Sequence, residues 1–168
     1  MSYFGSEKKI NLSISAIQSG VTQTISTTVL TVNIFEGLSP TPIASSIGYP
    51  TVSVSSNIFT LEAGWKYSID LKMKHSVAST STDINYLIYY MTDISGTQIS
   101  STGRSIIYRD NRADFAQEKC IKYFDATAGQ QQFMIKAQRG NTVDLIINSS
   151  RDTQTTNFRS YVLIKAWK

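Results

Sequence analysis

Catalysis by a hydrolase triad, or by a metal held on two histidines, needs imidazoles to move protons or ligate the ion, and this chain contains only His75. His75 follows Met73 on the same side of an alternating run, so it reads as a half-buried residue at a strand end rather than a general base. Its 12 acidic residues permit many pairs, yet no context marks two of them as an acid and base couple. Asp110, Asn111 and Asp114 are oxygen donors for calcium, but their spacing departs from the helix-loop-helix pattern, and Arg109 and Arg112 beside them disfavour a cation. No glycine-rich loop that would cradle phosphate is present. The single cysteine, Cys120, excludes an internal disulfide and a multi-cysteine zinc site; flanked by Ile121, Tyr123 and Phe124, it reads as a buried, inert thiol. The expectation is a chain without catalytic residues, metal or cofactor.

The elements that would position these residues are strands. Tyr67, Ile69, Leu71 and Met73 alternate with Ser68, Asp70, Lys72 and Lys74, which puts one face in a core and the other in solvent. Ile10, Leu12 and Ile14 alternate in the same way, as do Val52 with Val54, Phe133 with Ile135 and Ala137, and Val143 with Leu145 and Ile147. Three runs are apolar on both faces: Val29 to Phe35, Tyr86 to Met91 and Tyr161 to Trp167. Such a strand is either central in a sandwich or covered by another subunit. Turn chemistry separates these runs at Glu36-Gly37, Ala63-Gly64, Ser95-Gly96, Thr102-Gly103, Ala128-Gly129 and Arg139-Gly140-Asn141. The segment Ser39 to Pro50 reads as a long loop, and Arg112 to Cys120 is at most a turn or two of helix. The fold predicted is all-β, an antiparallel sandwich or jelly roll of about 8–10 strands with little helix.

Length and composition agree. At 168 residues the chain fits one domain, 21–168, with residues 1–20 as an N-terminal arm or its first strand. Nine Tyr and seven Phe, with many Ile, Val and Thr, favour strands. Charged residues are 17% of the chain, below the usual quarter or so, and Ser and Thr replace them. The net charge of +4 invites a nucleic-acid reading, but the cations are dispersed, and between Arg104 and Lys122 they alternate with Asp110, Asp114 and Glu118. No run approaches the length of a membrane span, and the first 15 residues lack a signal peptide's apolar stretch, so synthesis in a cytoplasm without general secretory export is expected.

The stretch Phe59-Thr60-Leu61-Glu62-Ala63-Gly64-Trp65-Lys66-Tyr67-Ser68-Ile69 resembles the strand-turn-strand of the C1q and tumour-necrosis-factor jelly-roll family. Gly140 to Ile147 is similar to that family's turn and penultimate strand, and Ser160 to Trp167 to its apolar final strand, although the ending here is Leu163-Ile164-Lys165-Ala166-Trp167 rather than of the Gly-Phe-Leu-Leu type. The resemblance implies a homotrimer whose central seam is lined by the final strand and its neighbours. Here that means Tyr86, Ile88, Tyr90, Tyr161 and Leu163, or the opposite faces of the same strands. The tyrosines, with Trp65 and Trp167, also suit stacking on sugar rings; a buried seam uses the same residue types, for area and a polar tip.

Phage head decoration proteins and fibre heads resemble this set of features: a short polar N-terminus, a Ser/Thr-rich β domain, no export signal and no catalytic residues. The expected role is therefore a non-enzymatic virion protein that assembles with itself and docks on the major capsid protein or another virion protein. Tyr3, Phe4, Ile10 and Leu12 are the adhesive side chains of the arm, unless Ile10 to Ile14 is simply the first strand of the domain. The alternative is a receptor- or glycan-binding module at a fibre tip, carried by the loops Val77 to Asp83 and Ala113 to Glu118.

Overall fold

The computed structural model describes residues 12–26, 28–77, 85–107, 116–140, 144–148 and 159–168. Within them the chain forms fifteen strands and no helix. In chain order the first eight are β1 (Leu12–Ser19), β2 (Gln23–Ile25), β3 (Leu30–Thr31), β4 (Thr41–Ser45), β5 (Val52–Ser55), β6 (Ile58–Leu61), β7 (Lys66–Lys72) and β8 (His75–Val77). The remainder are β9 (Asn85–Thr92), β10 (Gly103–Ile107), β11 (Ala116–Glu118), β12 (Cys120–Asp125), β13 (Gln131–Arg139), β14 (Leu145–Ile147) and β15 (Ser160–Trp167).

Every pairing is antiparallel. One sheet has the order β12-β7-β15-β1-β4. A second has the order β11-β10-β9-β13-β6-β5, with β3 also on β13. A small third sheet, β2-β14-β8, gathers the segments that follow β1, β13 and β7. Eight strands carry the architecture. β1, β7, β12 and β15 belong to the first sheet and β6, β9, β10 and β13 to the second, and the chain changes sheets between β6 and β7, β7 and β9, β10 and β12, β12 and β13, and β13 and β15. That is a jelly roll, an antiparallel sandwich of interleaved Greek keys.

The alternating residues of β7 explain the core. Tyr67, Ile69, Leu71 and Met73 are fully buried between the sheets, and Phe133, Ile135 and Ala137 of β13 face them from the other side. Phe59 stacks on Phe133 at 4.6 Å and Phe124 on Phe133 at 5.2 Å, so one aromatic column joins β6 and β13 of the second sheet to β12 of the first. Phe35 closes it edge-on against Phe59 at 5.9 Å. Losing one such ring costs about 3–5 kcal/mol.

Three expectations are corrected. Leu12 and Ile14 were expected to face the core, but Ser13, Ser15 and Ser19 turn inward and are buried, while Leu12 and Ile14 lie half-exposed on the outer side. Register is the cause: Ser13 pairs with Ala166 and Ser15 with Ile164, both on the inner face, where Tyr67 beside Ala166 fills the space a large side chain would need. Val29 to Phe35 is not a continuous strand. Only Leu30–Thr31 pairs, and Val32, Ile34 and Phe35 drop into the core from a turned segment held by Glu36 N–H to the Asn33 carbonyl (3.1 Å). Ser39 to Pro50, read as a loop, contains β4, an edge strand, which is where a proline such as Pro42 is tolerated in a sheet.

Candidate functional site

Residues paired across neighbouring strands share a face of the sheet, so the register of the first sheet spells out its outer surface in rows. One row runs Asp125, Lys66, Trp167, Leu12; the next Tyr123, Ser68, Lys165, Ile14; then Ile121, Asp70, Leu163, Ala16; and last Lys72, Tyr161, Gln18. Leu12, Ile14, Tyr161, Leu163 and Trp167 are half-buried there, and on β12 Ile121 and Tyr123 are 36% and 68% exposed. Two strands, β1 and β15, thus turn apolar side chains away from the core, and β12 adds an aromatic ring at the same face.

The polar groups among them are largely paired. Lys165 Nζ lies 3.7 Å from Asp70, which is only 7% exposed and also accepts a hydrogen bond from the Ser68 hydroxyl at 3.3 Å. Lys66 lies 4.0 Å from Asp125, with both side chains in solvent, where water and salt screen the pair. Burial, and secondarily Asp70, raise the Tyr161 phenol above its ordinary pKa, so it remains a neutral hydrogen-bond donor.

Of the five residues expected to share one seam, the structure brings two together and sets three apart. Tyr161 and Leu163 lie on the outer face of the first sheet. Tyr86, Ile88 and Tyr90 also point outward, but from β9, and therefore from the opposite side of the sandwich. The correction is topological. β9 and β15 each bury one side between the sheets, so their outer sides face in opposite directions. Patches on opposite sides of a subunit build an open stack rather than a closed ring. Tyr86 has an occupation of its own, since its ring lies directly over Gly140, where an added Cβ would come within 1.7 Å of a ring carbon.

Of the four residues expected to dock on a capsid, Leu12 lies inside β1, paired with Trp167. Tyr3, Phe4 and Ile10 lie outside the described residues. So do Asp110, Asn111 and Asp114, and most of the two loops considered for recognition, of which only Val77 and residues 116–118 are described. His75 stands at a strand end, as the first residue of β8, but is fully buried rather than half-buried. Its Nδ1 lies 3.0 Å from the Ser105 hydroxyl, and Nε2 has no hydrogen-bond partner. Cys120 is a buried free thiol, 3.1 Å from the Ser100 hydroxyl, and burial pushes its pKa up. Among the described residues no group of three or more His, Cys, Asp or Glu is placed to hold a metal ion.

What sequence reasoning missed is the part of Ile121 and Tyr123, and that Leu12, Ile14 and Trp167 share one outward face with them. The signal was present in β1, where three serines alternate with apolar residues, but that pattern does not say which side faces the core.

No family model matches the chain, and no curated protein matches it. Among solved structures, the chain is similar in fold to that of Eiger TNF from S. frugiperda, with a TM-score of 0.47 and 9% sequence identity over 95% of this chain and 93% of that one.

Proposed function

We propose that this protein is a non-enzymatic structural subunit that assembles with itself through the outer face of its first sheet. The observation that carries the reading is the inversion of β1: Leu12 and Ile14 sit outside while serines occupy the core side, next to Leu163, Tyr161 and Trp167 of β15. A half-buried apolar face spanning adjacent strands is what a covering subunit dries. Four rows at about 6.8 Å spacing over four strands about 4.8 Å apart make a patch of roughly 400 Å². A standard interface needs about 800 Å² per partner. The apolar rows are therefore the centre of the interface, and the rim around them has to contribute the rest. The number three comes from the family resemblance, the surface from the strand pattern.

The finer reading is a phage virion protein, a capsid decoration or head-fibre subunit. It is supported by the Ser/Thr-rich composition and by β1, the first strand among the described residues, lying on the assembly face. Tyr3, Phe4 and Ile10 are then the residues that meet the shell.

Leu163→Asp places a carboxylate beside Asp70 in the middle of the face and is expected to convert the assembly to monomers while the far-ultraviolet circular dichroism is retained. An assembly that survives Leu163→Asp contradicts the assigned surface. Binding in a glycan or cell-envelope screen would instead favour the fibre-tip module.

A further inference from the structure

The small third sheet is tied to the rest of the sandwich by one clasp of hydrogen bonds. The Lys74 N–H, just before β8, donates to the Ser160 hydroxyl (3.0 Å), and the Lys74 carbonyl accepts from the Asn148 N–H (2.9 Å). Asn148 has a left-handed φ of 56°, and its amide reaches two more segments. The amide oxygen accepts from the Ser160 N–H (2.7 Å), and the amide nitrogen donates to the Val21 carbonyl (2.8 Å). These bonds join the entry to β8, the exit from β14, the start of β15 and the link between β1 and β2.

His75 stands at the centre of this clasp. It follows Lys74 in the chain and pairs with Ile147, the residue before Asn148. Its ring is fully buried, with Nδ1 3.0 Å from the Ser105 hydroxyl of β10 and Nε2 without a hydrogen-bond partner. A neutral imidazole carries one N–H and an imidazolium carries two, so a second proton would meet no acceptor there. No carboxylate among the described residues stands on the strands around it to hold the charge. β14 has no titratable side chain, and β10 has only Arg104, which turns outward towards Glu118 (4.0 Å). β9, beside β10, has only tyrosines. Asp144, ahead of β14, is paired with Arg139, and Lys74 is itself a cation. Burial of an imidazolium under these conditions is strongly unfavourable.

We propose that His75 is an acid-sensitive latch on this end of the molecule: the clasp closes only over the neutral ring, and protonation of the exposed ring holds it open, freeing β8, β14 and the start of β15. The third sheet is the element suited to open first. Its strands pair over three residues each, whereas β9 and β13 pair over six, and a short sheet opens at a lower free energy than the core. In the open form the ring meets water and titrates near the ordinary 6.5, so each pH unit below that favours opening about tenfold. The latch stands apart from the assembly reading, because all of its parts come from one subunit.

Hydrogen–deuterium exchange read by mass spectrometry tests it on the full chain at pH 7 and pH 5, with rates corrected for the pH dependence of exchange itself. Segments 75–77 and 145–148 lie off the proposed assembly face and report on the latch in monomer and oligomer alike. They are expected to be less protected than β9 and β13 at both pH values, and to lose a factor of about 25 in protection from pH 7 to pH 5 as the exposed imidazole titrates. His75→Asn cannot titrate and is expected to abolish that factor, whatever its own protection at pH 7. Ser160→Ala, which keeps His75 and removes one bond of the clasp, is expected to lower protection of the same segments at pH 7 and to retain the factor. Protection of these segments equal to that of β9 and β13 at both pH values would mean that only global unfolding exposes His75, and overturns the latch. So does a factor that persists in His75→Asn, or protection in the parent that does not change with pH.

Discussion

At His75 the imidazole sits where water does not reach, and desolvation pulls its pKa from the ordinary 6.5 down to about 3. The unfolded chain therefore takes up a proton before the folded chain does. Stability is complete above pH 6.5 and falls as pH drops from 6.5 towards 3; by pH 5 the loss is about 2 kcal/mol. Urea denaturation at pH 7 and pH 5 measures it, and in His75→Asn, which cannot titrate, most of that difference is expected to vanish. Gly103 makes a second demand at this scale. Read as part of a turn, it lies instead in β10 beneath the Tyr89 ring, and an added Cβ would come within 2.3 Å of it. That ring is buried and its hydroxyl is fixed to the Glu118 carbonyl at 2.8 Å, so it has nowhere to move. Gly103→Ala is expected to cost about 1–3 kcal/mol and to lower the melting temperature by about 3–10 °C. Gly140→Ala is expected to be milder, because the half-exposed Tyr86 ring can swing aside.

Among the elements, the β5–β6 hairpin shows what local sequence conceals. Ser56 and Asn57 both have left-handed backbone angles, φ 53° and 62°, as a two-residue type I′ turn requires. No Asn-Gly or Asp-Gly marks the turn. A carboxylate twenty residues away holds it instead: Glu36 accepts hydrogen bonds from the N–H groups of Ser56 (2.9 Å) and Asn57 (2.6 Å). Glu36→Ala is expected to destabilise the fold by about 1–2 kcal/mol, read as a shift in the urea midpoint without a change in slope. The same contrast explains how much of the fold was legible. Where alternation pairs large apolar residues with charges, as in β7, or with polar and charged ones, as in β13, the buried face follows from the sequence. In β1 the alternating partners are serines, small enough to fit against Tyr67, and the face is decided by the neighbours. Val29 to Phe35 was misread because apolar residues fill a core equally well from a turn. Of the candidate site, Tyr161 and Leu163 were legible from the doubly apolar final strand, whereas Ile121 and Tyr123 join them only through the pairing of β12 with β7, more than fifty residues apart.

For the whole molecule, the two outer faces of the sandwich carry different loads. The second sheet's outer side mixes Tyr86, Ile88 and Tyr90 with Lys136 and Gln138, and Lys136 donates to the Thr31 hydroxyl at 2.7 Å. The first sheet's outer side gathers Leu12, Ile14, Leu163, Trp167, Ile121 and Tyr123 around the Lys165–Asp70 ion pair. A surface of that kind is expected to be covered, and the proposed self-association through it accounts for Leu12 and Ile14 of β1 facing outward. The most direct test is the mass of the purified protein in solution, by light scattering coupled to size exclusion across a range of concentrations. A trimer that Leu163→Asp converts to a folded monomer is the predicted result. A parent chain that stays monomeric at every concentration would contradict self-assembly through this face.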